Sequence, residues 1–293
     1  LLVWFGGNVM IRLDAATVLL QWSVGGLFFL WVTTRRRQIG LGYGWLLRGV
    51  YLVMAVGAVA AGRAVQPDGW RDACATGVAA ASAAALVVSV IRRKAGVSGE
   101  REKEERRSDR VAAMTGIDRA TKVIDHSRAE FPPWLDLVAP SIGVIGLIAA
   151  AVADGGPHGL AIARTLVGAA FLGAVTDAML LGHWYLVQPG LGRGLLNELV
   201  RLVAWVWPFE VAVLLWPTGM IQVLDGQISD SYGGLLGWFW IACVITTIVL
   251  CLVTRAALKE RYYSAVMAAT GLLYLAILTA FGTDLVARAI LAG

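Results

Sequence analysis

The chain has 293 residues, of which 58% are hydrophobic and only 15% charged, and its mean hydropathy is +0.70. Soluble domains carry about half apolar and about a quarter charged residues, so the composition excludes a soluble globular protein and points to an all-α, polytopic integral membrane helix bundle. The formal net charge of +5 is to be tested first as a topology signal before any nucleic-acid partner is invoked.

The opening stretch LLVWFGGNVMIRL is too short to span a bilayer and reads as an interfacial lead-in. Ala15 to Thr33 supplies the roughly 20 apolar residues that a hydrocarbon core of about 30 Å requires, and it stops at Arg35, Arg36 and Arg37. Gly44 to Gly62 is the second expected span, followed by a turn at Pro67, Asp68 and Gly69. The third, Ala73 to Ile91, is rich in Ala, Ser and Gly, which favour close helix approach in lipid. That richness predicts a position inside the bundle.

Residues 92 to 134 form the one long polar segment, with eleven Lys or Arg and eight Asp or Glu. Its alternating signs predict a solvated helix, and Val111, Met114, Ile117, Val123 and Ile124 add a narrow apolar stripe for a membrane surface or a partner. The chain thus divides into 1–91 with spans 1–3, 92–134 as a charged cytoplasmic loop, and 135–293 with spans 4–8. No internal repeat is evident.

Phe131, Pro132, Pro133 and Trp134 precede the fourth span, Leu135 to Ala153. The fifth runs from Gly159 to about Val187 and the sixth from about Leu195 to Trp216, joined by the short turn QPGLGRG. Tyr232 to Thr254 and Tyr263 to Thr283 complete about eight spans, which place both termini on the non-cytoplasmic side. Eighteen of the 25 basic residues then lie in cytoplasmic connections and four outside, as the positive-inside rule requires. The charge is thereby explained by a bacterial inner membrane, without nucleic acid; membrane lipids are the first partners, and a membrane complex or homo-oligomer the next.

Ionisable groups at membrane depth mark function by default. Asp177 and Glu210 are read as mid-membrane carboxylates at one depth, able to raise each other's proton affinity and relay protons; the structural alternative pairs each with an arginine such as Arg164. Glu198 and Arg201, three apart, predict a local ion pair. At the cytoplasmic ends of spans 5 and 6, His183, Trp184, Tyr185, Gln188, Asn197 and Arg201 could converge on an amphipathic ring or headgroup, so a quinone or a bound lipid is the expected ligand. A haem buried between two histidines is disfavoured, because His126 lies in the loop, His158 outside and His183 at the rim. Cys74, Cys243 and Cys251 are widely spaced in apolar surroundings, and no metal-binding string is present. Two functions follow: a membrane subunit of an energy-transducing or redox assembly, or a proton- or ion-coupled small transporter or channel using Asp177 and Glu210.

Overall fold

The structure, a computed structural model, describes residues 13–99, 102, 129–153, 157–188, 191–216, 219–230, 232–260 and 262–292. The apolar stripe from Val111 to Ile124 and His126 lie outside them, as do Pro189 and Arg261.

Eight long helices dominate: α1 (Ala15–Thr34), α2 (Leu41–Val65), α3 (Gly69–Ile91), α4 (Leu135–Ala153), α5 (His158–Val187), α6 (Gly194–Leu215), α7 (Leu235–Ala257) and α8 (Tyr263–Leu291). A short 3₁₀ turn, Arg92–Ala95, follows α3, and a one-turn helix, Met220–Leu224, lies between α6 and α7. Seven of the eight are long and apolar enough to cross a membrane. The remaining one, α6, has 22 residues, enough for a span, but carries Glu198, Arg201 and Glu210.

Local chemistry sets the helix starts. The Asp14 side chain accepts from the backbone N–H of Ala16 and Thr17, each at 3.2 Å, and Asp68 accepts from Arg71 N at 2.8 Å; both satisfy amides that a helix start leaves unpaired. Arg71 then reaches Asp14 in a buried ion pair, tying the start of α3 to that of α1. Before α7, Gly233 and Gly234 adopt φ of 64° and 87°, a left-handed turn open to glycine.

Helix packing closes two circuits. In the first, α1 packs on α2, α2 on α3, α3 on α4 and α4 back on α1; in the second, α5, α6, α7 and α8 do the same. Neighbours within each circuit are antiparallel, as shown by Ser23 bonding Tyr51, Arg71 beside Gly62, Arg164 bonding Val213 and Trp240 bonding Thr283. The circuits join chiefly through α1 and α5, which run parallel: Gln21 Nε2 donates to Thr165 O at 2.9 Å. Gly25 and Gly173 bring the two backbones into contact, since a Cβ on either would overlap the other helix's main chain.

The string Gln38-Ile39-Gly40-Leu41-Gly42-Tyr43-Gly44 recurs as Gln188-Pro189-Gly190-Leu191-Gly192-Arg193-Gly194. Each copy joins the first two helices of its circuit, so the molecule is organised as a parallel four-plus-four repeat, which no reading of the chain by loop length detects. The copies also touch, Gly40 N donating to Gln188 Oε1 at 3.2 Å. They lie at the end of the bundle that carries Arg35, Arg36 and Arg193, here termed the basic face.

Two expectations need correction. The Ala-rich α3 is peripheral: 28% of its most apolar stretch is buried, against 67% in α1 and 72% in α5. Small side chains let α2 and α4 approach α3, but alanine also faces lipid without penalty, so richness in small residues does not fix depth in a bundle. The last helix also continues past Thr283 to Leu291, because Asp284 and Arg288 form an i,i+4 pair at 2.9 Å that neutralises both charges inside it. Arg71 and Arg288, assigned outside by sequence, are 3% and 1% exposed.

Candidate functional site

Polar groups inside the bundle gather in three places. Nearest the basic face, Arg48 of α2 holds Asp136 of α4 with two bonds of 2.7 Å. Thr34 and Ser89 complete the set, through bonds to Asp136 and from Arg48, and the guanidinium lies 4.2 Å from the Phe131 ring centroid. This is a closed, charge-balanced lock among α1–α4. Beside it a cavity of about 40 Å³, lined in part by Thr34, Arg37, Gly40 and Glu130, has room for water and none for a ring.

The second cluster is at the opposite end of the second circuit. Arg164 of α5 donates from Nε to Val213 O at 2.7 Å and from Nη2 to Trp216 O at 2.9 Å. It thereby caps the C-terminus of α6, where the helix dipole favours a cation. Arg288 holds both oxygens of Asp284 and donates to Arg164 O at 3.3 Å. Into this frame projects Glu210, fully buried, with Asp284, Arg288 and Arg164 as the charges that act on it. Glu210 lies against Asp284, yet neither of its oxygens meets hydrogen-bond geometry with any described residue. Arg164 Nη1 and Gln21 Oε1 are likewise unpartnered. Gly168 gives the cluster its space, because a Cβ there would fall 2.7 Å from Asp284 Oδ1 and 2.9 Å from Arg288 Nη2.

The third cluster sits where the circuits meet. Asp177 of α5 is completely buried, and its Oδ1 accepts from the Tyr51 hydroxyl of α2 while Oδ2 has no partner. Tyr43, also fully buried, presents a hydroxyl that meets hydrogen-bond geometry with none of the described residues. Trp22 Nε1 donates to the adjacent Thr176 at 2.9 Å.

Asp177 and Glu210 therefore do not share a site. Asp177 is 13 residues, about 20 Å of helix, from the Arg164 that neighbours Glu210. The carboxylate beside Glu210 is Asp284, which the sequence reading missed because it followed the expected end of the last span; its spacing of four from Arg288 inside apolar sequence was the available signal. The arginine alternative is not met as a pair: Arg164 and Arg288 act on Glu210 electrostatically, but among the described residues neither bonds its oxygens.

The six residues at the mouth of α5 and α6 are placed as follows. Trp184 Nε1 donates to Gln188 Oε1 at 3.0 Å, Tyr185 to Gly192 O at 2.6 Å, and Asn197 Nδ2 to Arg193 O at 3.2 Å. These four stabilise the repeated turn, and the Trp184 ring rests on that of Tyr43 with centroids 5.8 Å apart. His183 turns to the outer surface of the bundle, its Nδ1 3.3 Å from the Tyr274 hydroxyl of α8. Arg201 is exposed. The expected Glu198–Arg201 pair is replaced: Glu198 accepts from Arg35 and Arg36 at 2.8 and 2.9 Å, because a buried carboxylate between the circuits gains more from two converging cations than from one exposed side chain on its own helix. Among the described residues no three His, Cys, Asp or Glu side chains gather as metal ligands.

No protein-family model matches the chain, and no curated protein or solved structure matches it significantly.

Proposed function

We propose that the chain is the proton-handling membrane subunit of an energy-transducing or redox assembly. The observation that carries this reading is Glu210: a fully buried carboxyl whose two oxygens have no partner among the described residues, with Asp284, Arg288 and Arg164 as the charges that act on it. A structural network in a membrane is closed, as Arg48 and Asp136 are. An open one leaves a group whose charge must be supplied or removed by a proton, and two adjacent carboxyls readily hold one proton between them. Asp177 is the second such group, nearer the basic face. The expected quinone or lipid ligand finds its support in His183 and Tyr274, a polar pair on aromatic rings at the outer surface of α5 and α8. By the arginine count, the basic face is cytoplasmic.

A proton- or ion-coupled transporter is the second reading, favoured by the parallel repeat. Transporters built of repeats place coupling sites at the repeat interface, where Asp177 and Tyr51 meet.

Proteoliposomes with an internal pH dye and an imposed potential test the common element. Wild-type protein should carry protons faster than empty vesicles, and Glu210→Gln and Asp284→Asn should each slow it at least tenfold. Wild-type flux equal to that of empty vesicles removes proton handling. Native mass spectrometry separates the two readings: a co-purifying subunit supports the assembly, and cargo-driven flux by the lone chain the transporter.

A further inference from the structure

The interface of the two circuits holds three oxygen-bearing side chains with no charge-balancing cation bonded to them. Tyr51 and Tyr43 are eight residues apart on α2, about 12 Å along its axis, with Tyr43 two residues from the helix start at the basic face. Asp177 is the carboxylate that acts on both hydroxyls, and Tyr43 in turn acts on Tyr51. Beyond Tyr43, towards the basic face, its hydroxyl faces Thr33 and Tyr185. The column therefore runs from Asp177 to the repeated turn with an oxygen at each stage.

We propose that the Tyr43 hydroxyl is the relay through which Asp177 exchanges its proton with the basic face, while Tyr51 holds the carboxyl in place. The two roles differ by geometry. Tyr51 already donates to Oδ1, and Gly26 gives its ring room to do so, since a Cβ there would overlap the ring; its donor is committed. The Tyr43 hydroxyl lies beside Thr33 without meeting hydrogen-bond geometry, and the other carboxyl oxygen, Oδ2, has no partner among the described residues. A hydroxyl both donates and accepts, so water reaching between Tyr43 and Oδ2 would satisfy both buried polar atoms. In a transfer, the Tyr43 oxygen accepts a proton from a hydronium ion on the basic-face side, which is left as neutral water, as its own proton passes through the intervening water to Oδ2. The tyrosine ends neutral, the carboxylate ends as the acid, and no electron moves. Trp184 packs edge-to-face against the Tyr43 ring and holds the hydroxyl in register, which gives Trp184 a role in positioning the relay.

This inference rests on Asp177 being a proton site, and its test is independent of net flux. Infrared spectra of the full-length protein, recorded while H₂O is replaced by D₂O, follow the protonated carboxyl band that Asp177→Asn removes. Tyr43→Phe keeps the packed ring and deletes one oxygen, so the protein should melt close to wild type while deuterium reaches Asp177 at least tenfold more slowly. Tyr51→Phe should shift the band's frequency, because it removes the bond to Oδ1, without that slowing. Equal exchange in wild type and Tyr43→Phe, or a wild-type spectrum with no Asp177 acid band, overturns the relay. If exchange slows as expected but vesicles carry no protons, the relay stands and the transmembrane proton function falls.

Discussion

At the scale of single residues, the buried charges of this protein divide by whether they are closed. Arg48 and Asp136 are 2% exposed each and bind each other twice. Removing one partner leaves a buried charge uncompensated, which costs about 3–5 kcal/mol. Asp136→Asn should therefore lower the stability of the folded protein by that amount in an equilibrium unfolding titration. Arg37, half-exposed and paired with Glu130 at 3.3 Å, is the control: Arg37→Gln should cost about 1 kcal/mol or less. Equal losses in the two variants would show that burial does not decide the worth of these pairs. Asp177 and Glu210 were legible in the sequence because a carboxylate inside apolar sequence stands out whatever its partner. Asp284 was not, because it shares its helix turn with Arg288, and a balanced i,i+4 pair imitates the polar end of a span.

At the scale of elements, the long helices begin and end within about four residues of their expected bounds except at the end of α8, which runs on from Thr283 to Leu291. Asp14 and Asp68 fix their helices through local bonds to backbone amides. The start of α7 depends on a larger cap. Asp230 accepts from the amides of Gly234 and Leu236 at 2.8 Å, Tyr232 at 3.0 Å and Gly237 at 3.3 Å. These bonds, that from Gly234 foremost, hold its carboxyl below the ordinary carboxylate range, because they favour the charged form. A lowered folded-state value means that the cap's stabilisation is present in full above the unfolded value, about 3.9, and is lost as pH falls through the lower folded one. The amide resonances of Gly234 and Gly237 should accordingly move together in an acid titration, with a midpoint below that of an unperturbed aspartate, and the Asp230→Asn protein should lack the transition. A midpoint at the ordinary value would remove the charge from the cap.

At the scale of the whole molecule, the beginning of α1, the start of α5, the Met220–Leu224 helix and the end of α8 lie on one face of the bundle. The repeated turns lie on the other. In a background with Cys74, Cys243 and Cys251 replaced, Gly226→Cys should react with an impermeant thiol reagent in intact cells, whereas Gly192→Cys should react only after permeabilisation. A Cβ meets nothing at either position, but Gly226 has a φ of 73°, so the melting temperature of Gly226→Cys, measured beside its labelling, separates access from misfolding. Labelling of both from outside would break the eight-crossing reading, and a reversed pattern would invert the assignment of the basic face.

What the sequence determined by itself was the class of solvent: runs of about 20 apolar residues can be satisfied only as helices in lipid, and arginines at alternate connections order them. Local pattern was enough because length, hydropathy and capping act over a few residues. Only the tertiary structure decided which helices are central, that α4 belongs with α1–α3, and that the turns at Gly42 and Gly192 are copies in equivalent places. It also decided that Glu210 meets Asp284, that Asp177 meets Tyr51, and that Glu198 meets Arg35 and Arg36. Those pairings join residues up to 163 positions apart, set by the rotation of each helix about its axis. In lipid that rotation is governed by where backbones can touch, as at Gly25 and Gly173, and by which buried polar atoms need one another; neither condition can be evaluated along a single helix.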